Sequence, residues 1–379
     1  MRPAFAIRPL VLLLLSCAVW TVSLRAEAAP PFRLVGYVMA KTDIPRIPAG
    51  LLTHLDFAFA HIDAAGRVVL DGPNDERALG ELVALKAINP TLRIILSIGG
   101  WGADGFSDAA LTEASRARFS ATAVALVERH RLDGLDIDWE YPGQPGPGIR
   151  FRPEDRRNFT PLLAQLRRDL DALSEKRHAH GGDRCVLTIA TTGGVYFEHT
   201  EMDRLHPLVD WMNVMSYDLY GSFSTTTGHH AGLFATTDAP AGAPTTERLI
   251  RQHLAAGIPR EKLLVGAAFY GRSWTGVKPD ASGSPLLAPY AQPGPSHSYR
   301  EIARDYLGRP DFERRWDTTA QAVTLWQPST GTLISYEDAD ALRAKANFVR
   351  QEQLGGIMYW EQSDDPQAVL LSAAAQALR

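Results

Sequence analysis

Short apolar segments recur along the chain and alternate with longer segments of helical periodicity. Eight of them are rich in aliphatic and β-branched residues, as buried strands are. They are residues 33–39, 54–61, 93–98, 134–140, 186–192, 211–217, 263–270 and 356–361. Helices are predicted between them, for example at 113–130, 153–174, 245–256 and 338–352, with a last helix from Pro366. Because alternating strands and helices pair in parallel through right-handed crossovers, eight such units predict an α/β fold, the (β/α)8 TIM barrel.

One connection is far longer than the others, and it joins the seventh predicted strand to the eighth. Residues 273–298 are rich in Gly, Pro and Ser, and a helical stretch at 299–306 and a strand-like one at 331–336 follow. A structureless loop of this length is improbable in a compact domain. We therefore predict a catalytic domain over residues 29–379 that contains a small α+β insertion subdomain at 274–336. This subdomain is expected to extend from the C-terminal face of the barrel, where the active sites of such barrels lie.

The N-terminal residues 1–28 have the pattern of a secretory signal peptide. Arg2 and Arg8 precede an apolar run that starts at Leu10, and residues 26–28 form a small-x-small cleavage site. The mature protein is therefore expected to be secreted or periplasmic, with no membrane attachment after cleavage. A lipid anchor on Cys17 and an uncleaved membrane anchor are the alternatives.

Composition and charge limit the classes of molecule that the protein is expected to bind. Hydrophobic residues make up 45% and charged residues 22% of the chain, as in ordinary globular proteins. The formal net charge of -4 argues against nucleic-acid binding and suits a neutral substrate. The two cysteines are Cys17 and Cys185. Loss of Cys17 with the signal peptide would leave no disulfide, and Cys185 is expected to be a buried, unreactive thiol.

The segment 134–140 carries the strongest chemical pattern. Side chains alternate faces along a strand, so Asp136, Asp138 and Glu140 share one face and the apolar residues between them share the other. Neighbouring carboxylates on that face would lie roughly 7 Å apart and repel by about 2.4 kcal/mol, which favours retention of a proton. Glu140, at the strand end, is the natural general acid. An acidic solvated face, a buried structural network and a magnesium site are the alternatives.

The spacing Asp133-x-x-Asp136-x-Asp138-x-Glu140, followed by Tyr141-Pro142, resembles the signature of the family 18 glycoside hydrolases, the chitinases. Further segments resemble motifs of that family in the same order. They are Gly36-Tyr37, Ser97-Ile98-Gly99-Gly100-Trp101, Met215-Ser216-Tyr217-Asp218, Tyr270-Gly271-Arg272-Ser273-Trp274 and Gly355-Gly356-Ile357-Met358-Tyr359-Trp360-Glu361. The insertion is similar to that of the larger bacterial chitinases.

The resemblance implies retaining hydrolysis in which the 2-acetamido group of the substrate is the nucleophile. Glu140 would protonate the leaving oxygen and then activate water. Asp138 would orient the acetamido N–H, and Asp136 would share a proton with Asp138. Tyr217 would donate a hydrogen bond to the acetamido carbonyl. Asp133 faces differently and is expected to be structural.

The resemblance also implies a set of substrate-binding residues. Tyr37 and Ser97 would lie beneath Asp136, Asp218 would support Tyr217, and Trp360 would form an apolar floor under the sugar. The other implied binding residues are Trp101, Tyr141, Met215, Tyr270 and Arg272, with Trp274 as a further stacking platform.

The expected partner is chitin or N-acetylglucosamine oligosaccharides, bound by a monomer without a cofactor or a metal ion. His229 and His230 are interpreted as loop residues. Two other functions stay open, an endo-β-N-acetylglucosaminidase on N-glycans and a chitin-binding lectin of the same fold. Such lectins typically lose the catalytic acid, whereas Glu140 is present here.

Overall fold

The computed structural model describes residues 32–379, and the signal-peptide segment predicted at 1–28 lies outside them. The strands of this part of the chain are β1 (Arg33–Met39), β2 (His54–Ile62), β3 (Val68–Val69), β4 (Arg93–Gly99), β5 (Gly134–Asp138), β6 (Val186–Thr191), β7 (Trp211–Val214), β8 (Leu263–Ala268), β9 (Tyr270–Thr275), β10 (Gln292–Ser298), β11 (Glu313–Asp317), β12 (Ala322–Gln327), β13 (Thr332–Tyr336) and β14 (Gly356–Trp360). The helices are α1 (Pro73–Ala84), α2 (Phe106–Leu111), α3 (Glu113–Arg129), α4 (Asp155–Lys176), α5 (Met202–Leu205), α6 (Thr246–Ala255), α7 (Tyr299–Asp305), α8 (Ala339–Gln351) and α9 (Val369–Leu378).

Eight parallel strands close into a barrel, which confirms the predicted TIM-barrel fold. Their order is β1-β14-β8-β7-β6-β5-β4-β2, and β1 pairs with both β14 and β2 to complete the ring. In this order β5 and β14 are four strands apart, so they lie on opposite sides of the barrel. None of the helices within residues 32–379 is long and apolar enough to cross a membrane.

The outer helices begin at polar caps that the sequence supplies. The Thr112 side chain accepts a hydrogen bond from the Ser115 backbone N–H at the start of α3, and Thr245 does the same for Arg248 at the start of α6. Asp338 caps α8. Each cap satisfies a backbone N–H that would otherwise lack a partner in the first turn.

Three barrel strands end two or three residues earlier than the apolar pattern predicts: β5 at Asp138, β7 at Val214 and β8 at Ala268. β7 ends early because the side chain of Ser216 takes the place of backbone hydrogen bonds to β8. The Ser216 hydroxyl donates to the Gly266 carbonyl and accepts from the Gly266 N–H, both at 3.0 Å. The residues that follow are thereby released from the sheet and turn over the barrel mouth.

The insertion between β8 and β14 is built on an antiparallel sheet of order β10-β9-β13-β12-β11, with α7 between β10 and β11. The sheet begins at Tyr270, four residues before the predicted bound of 274. Trp274 is fully buried in it beside Tyr290, with ring centroids 6.3 Å apart. The expectation that Trp274 stacks on substrate is therefore wrong, because its rings fill the core of the insertion.

A buried ion pair ties the insertion to the barrel. Lys345 Nζ lies 2.9 Å from Glu337 Oε1, and both side chains are almost fully buried. Lys345 also donates to the Gly266 carbonyl at 2.8 Å, and Glu337 accepts from the Ala268 N–H at 2.6 Å. The pair thus satisfies backbone groups at the end of β8, next to the strand that carries Tyr270 into the barrel mouth.

Candidate active site

The carboxylates of the 134–140 segment lie inside the barrel, and its apolar residues lie outside. Asp136 and Asp138 are buried on the inward face of β5. Leu135 and Ile137 are fully buried in the layer between strands and helices. Trp139 stacks there on Phe106, with ring centroids 5.3 Å apart. Strand alternation therefore places acidic groups in the barrel and an apolar stripe against the helices, as expected.

Asp136 is held by hydroxyl groups from the adjacent strands β4 and β6 and from the more distant β1. Its Oδ2 accepts from the Tyr37 hydroxyl at 2.9 Å and from the Ser97 hydroxyl at 2.7 Å, and its Oδ1 accepts from Thr188 at 2.6 Å. Ser97 is fully buried and bonds Asp136 instead of lining the cleft. Burial raises the pKa of Asp136, and these hydrogen bonds oppose the rise because they stabilise its charged form.

Asp56 is a fourth inward carboxyl that the sequence reasoning missed. It is fully buried on β2, in register with Tyr37. Asn213 Nδ2 lies 3.4 Å from both Asp56 Oδ2 and Asp136 Oδ1. Burial, with the charge of Asp136, raises the pKa of Asp56 well above its ordinary value. The signal that could have revealed it was an acid within the apolar run 54–61.

Asp136, Asp138 and Glu140 form a column of carboxyl groups, and its upper members, Asp138 and Glu140, have raised pKa values. Burial, followed by the negative charges of Glu140 and Asp136, raises the pKa of Asp138 well above its ordinary value. Burial also raises the pKa of Glu140 to about 7, with a hydrogen bond from Tyr141 opposing and the charge of Asp218 adding. The raised pKa values favour the protonated forms of both groups, and Glu140 keeps its proton toward neutral pH.

A cleft of about 1130 Å³ opens above this column. It is lined by every predicted site residue except the buried Asp136, Ser97 and Trp274. The predicted residues that line the cleft are Tyr37, Trp101, Asp138, Glu140, Tyr141, Met215, Tyr217, Asp218, Tyr270, Arg272 and Trp360. The tertiary structure therefore brings together residues from six of the eight barrel strands or the segments that follow them.

Asp133 lies at the other end of β5, as its position before the strand suggested. Its Oδ2 accepts from Lys86 Nζ and from the Ile94 N–H, both at 2.6 Å. It serves the structure of the barrel there and takes no part in the cleft.

Tyr217 and Asp218 come from the segment after β7. Asp218 forms a two-point ion pair with Arg272, with both N–O distances at 2.7 Å. His230 is fully buried, and its Nδ1 lies 3.8 Å from Asp218 Oδ1. These two basic groups outweigh the effect of burial and lower the pKa of Asp218 well below its usual range. Asp218 is thus a fixed negative charge near Glu140.

The floor of the cleft is aromatic. Trp360 stacks on Phe59 with ring centroids 5.5 Å apart and an interplanar angle of 17°, and Tyr37 lies 5.7 Å from Trp360. Phe59 lines the cleft and is not among the residues that the sequence predicted. Trp101 and Phe223 project from the rim with 67% and 70% of their surfaces exposed. Exposed rings beside a cleft can stack on the apolar faces of sugars.

His229 and Asp136 have hydrogen-bond partners within the protein. His229 Nε2 lies 3.2 Å from Asp317 Oδ2. Within residues 32–379, no group of three or more His, Cys, Asp or Glu side chains is arranged to hold a metal ion. Asp136, which a magnesium site would have used, is surrounded by hydroxyl donors.

The sequence matches the family model "Glycosyl hydrolases family 18" over residues 33–365. It is 31% identical to Chitinase A1 of Niallia circulans, over 93% of this chain and 60% of that protein, and 29% identical to Chitinase B of Serratia marcescens, over 86% and 75%. A solved family 18 N-acetylglucosaminidase from Paenibacillus barengoltzii is similar in structure, with a TM-score of 0.83 and 36% identity, over 91% of this chain and 99% of that one. The chain spans less than two thirds of the length of Chitinase A1. With these similarities and the carboxylate column inside its barrel, the chain belongs to glycosyl hydrolase family 18.

Proposed function

We propose that this chain is a secreted chitinase, which hydrolyses β-1,4 bonds between N-acetylglucosamine units with retention of configuration. The named relatives Chitinase A1 and Chitinase B support the choice of substrate. The aromatic floor and rim of the cleft support an uncharged glycan as the ligand, because sugar faces pack on aromatic rings.

The observation that carries the mechanism is the burial of Asp138 beside Asp136 on the inward face of β5, which favours its protonated form. In the common retaining scheme a second, ionised carboxylate attacks the anomeric carbon. Asp138 is the carboxyl nearest to Glu140 along the strand, and burial with two neighbouring acids raises its pKa well above the ordinary value. A protonated carboxyl is a poor nucleophile, so the nucleophile is assigned to the acetamido oxygen of the substrate, as in substrate-assisted family 18 enzymes.

Each residue of the site then has a separate role in the reaction. Glu140 gives its proton to the leaving oxygen and later takes one from water. Asp138 binds the acetamido N–H, and Asp136, with its three hydroxyl donors, carries the compensating negative charge. Tyr217 donates to the acetamido oxygen, and Trp360 packs under the sugar ring.

Substrate assistance makes a sharp test possible, because a sugar without the acetyl group has no internal nucleophile. Purified protein is incubated with N-acetylated chitin oligomers, with fully deacetylated oligomers and with a high-mannose glycoprotein. We expect cleavage of the first alone, with the β-anomer as the first product in proton NMR. Cleavage of deacetylated oligomers or an α-anomer would overturn the mechanism. Release of the N-glycan would favour the endo-β-N-acetylglucosaminidase, and binding without turnover would favour the lectin.

Secretion is the remaining part of the proposal. It is supported by the basic start, the apolar run and the small-x-small site within residues 1–28. N-terminal sequencing of protein recovered from outside the cell tests it, with a start near residue 29 as the expected result.

A further inference from the structure

The two ends of the cleft differ in chemistry. Glu140 follows β5 and Trp360 ends β14, and these strands face each other across the barrel. Near Glu140, Trp101 and Tyr141 pack edge to face, with ring centroids 6.2 Å apart. At the end beyond Trp360 the lining is polar and comes from three separate segments of the chain. These lining residues are Lys41, Ser298, Arg300, Glu301, Ser363 and Asp364.

The direction of the bound glycan follows from the acid. The sugar over Trp360 is the one whose anomeric carbon reacts, and Glu140 protonates the oxygen on its leaving side. The leaving part of the glycan therefore lies on the side of Glu140 and Trp101. The non-reducing part runs the other way, past Trp360, toward the polar end and Asp364.

Glu301 and Asp364 both line the cleft at that end. Glu301 accepts hydrogen bonds from the N–H and the hydroxyl of Ser298, both at 2.9 Å, which leaves Asp364 as the carboxyl that can bind a ligand. Its neighbour Glu361 is buried and already occupied, since it accepts from the Ser363 N–H at 2.9 Å and pairs with Lys41 Nζ at 3.3 Å. Asp364 is half-buried and lines the cleft. Burial and the charge of Glu361 raise its pKa to about 7, while Lys41 and Arg300 lower it and Glu301 raises it. Near neutrality its carboxyl can accept or donate a hydrogen bond to a hydroxyl group.

We infer that Asp364, with Lys41 and Arg300 beside it, recognises the free non-reducing end of the glycan, so that the enzyme acts from that end. The inference rests on the proposed function and adds the position of cleavage. Only the terminal sugar has a free 4-hydroxyl, because in every internal sugar that oxygen is in a glycosidic bond. Aromatic rings bind sugar faces regardless of position, whereas a carboxyl that needs a hydroxyl partner rejects a ligand that lacks it.

The test compares two fluorescently tagged oligosaccharides: chitotetraose, and the same oligosaccharide capped by a methyl ether on its terminal 4-hydroxyl. We expect wild type to cleave the free-ended substrate at least about tenfold faster than the capped one, measured as kcat/KM. Asp364→Ala should lose that preference by slowing on the free-ended substrate alone. Asp305→Asn changes an acid at the end of α7, the helix of Arg300 and Glu301, that does not line the cleft, and it should keep the wild-type preference.

Equal rates on both substrates with wild type would overturn the inference, and so would a preference that survives in Asp364→Ala. Titration of the Glu140→Gln protein with the two oligosaccharides gives a readout that needs no turnover, and about tenfold weaker binding of the capped one is expected. Equal affinity would count against end recognition. Failure of the proposed function is seen separately, as the absence of hydrolysis of either oligosaccharide by wild type.

Discussion

The hydroxyl of Tyr37 donates a 2.9 Å hydrogen bond to Oδ2 of Asp136, although the two residues lie on strands β1 and β5 on different sides of the barrel. Tyr37 also packs its ring near Trp360. One side chain thus supports both the base of the carboxylate column and the floor of the cleft. Loss of the hydroxyl alone should separate these two roles.

Tyr37→Phe removes a donor from Asp136 and keeps the ring. A hydrogen bond to the charged form lowers a pKa, so its loss should raise the pKa of Asp136. If Asp136 must ionise during the reaction, the acidic limb of the kcat/KM profile moves to higher pH. Tyr359→Phe is the matched control, since the Tyr359 hydroxyl bonds Gln362 outside the column. An unchanged profile in Tyr37→Phe would contradict the role of Asp136 as an anion.

Glu140→Gln should keep the fold and lose about 10²–10⁴-fold in rate, because it removes the proton that the leaving oxygen requires. Turnover of a fluorogenic chitobioside gives the rate, and circular dichroism checks the fold. A folded variant that keeps more than about a tenth of the wild-type rate would exclude Glu140 as the proton donor.

The alkaline limb of activity should fall near pH 7, since burial raises the pKa of Glu140 to about 7 and activity requires its protonated form. Asp218→Asn removes a negative charge that contributes to this rise. Its removal should lower the pKa of Glu140, and the alkaline limb should move to lower pH. The kcat/KM profile of the variant measures the shift, and a movement to higher pH would show that Asp218 does not act through its charge.

Asp56→Asn tests whether the fourth carboxyl carries a proton. Burial and the charge of Asp136 raise the pKa of Asp56 well above its usual range, so its neutral form should dominate at pH 7. The infrared spectrum of wild type minus variant should then contain the C=O stretch of a protonated carboxyl. A carboxylate band in its place would mean that Asp56 is ionised and the column holds one proton fewer.

Lys345→Met should destabilise the protein by about 3–5 kcal/mol, because it leaves Glu337 as a buried, unpaired acid. Urea unfolding followed by tryptophan fluorescence measures the change in the free energy of unfolding. Arg343→Met, on the exposed side of the same helix, is the control and should change stability by less than about 1 kcal/mol. A similar small effect of both variants would show that the buried pair does not hold the insertion to the barrel.

The sequence predicts local features, such as the face of a strand residue, because they depend on the regular repeat of side-chain positions along a strand or helix. Alternation along 134–140 separates Asp136 and Asp138 from the outward Trp139, and the structure has this arrangement. Helix starts followed the capping residues Thr112 and Asp338. Element ends were less predictable, since the end of β7 depends on a hydroxyl of Ser216 that bonds a neighbouring strand.

By itself, therefore, the sequence determined the eight strands, the inward acids of β5 and the acid at its end. Only the tertiary structure decided which side chains meet them: Asn213 between Asp56 and Asp136, Phe59 under Trp360, and the polar residues around Asp364. It also decided that Trp274 is buried in the insertion. The physical reason is that side chains alternate along a strand, so the local sequence alone decides which face of the sheet a residue occupies. Contacts across the barrel depend on strand register, closure and loop packing, which involve residues far apart in the chain.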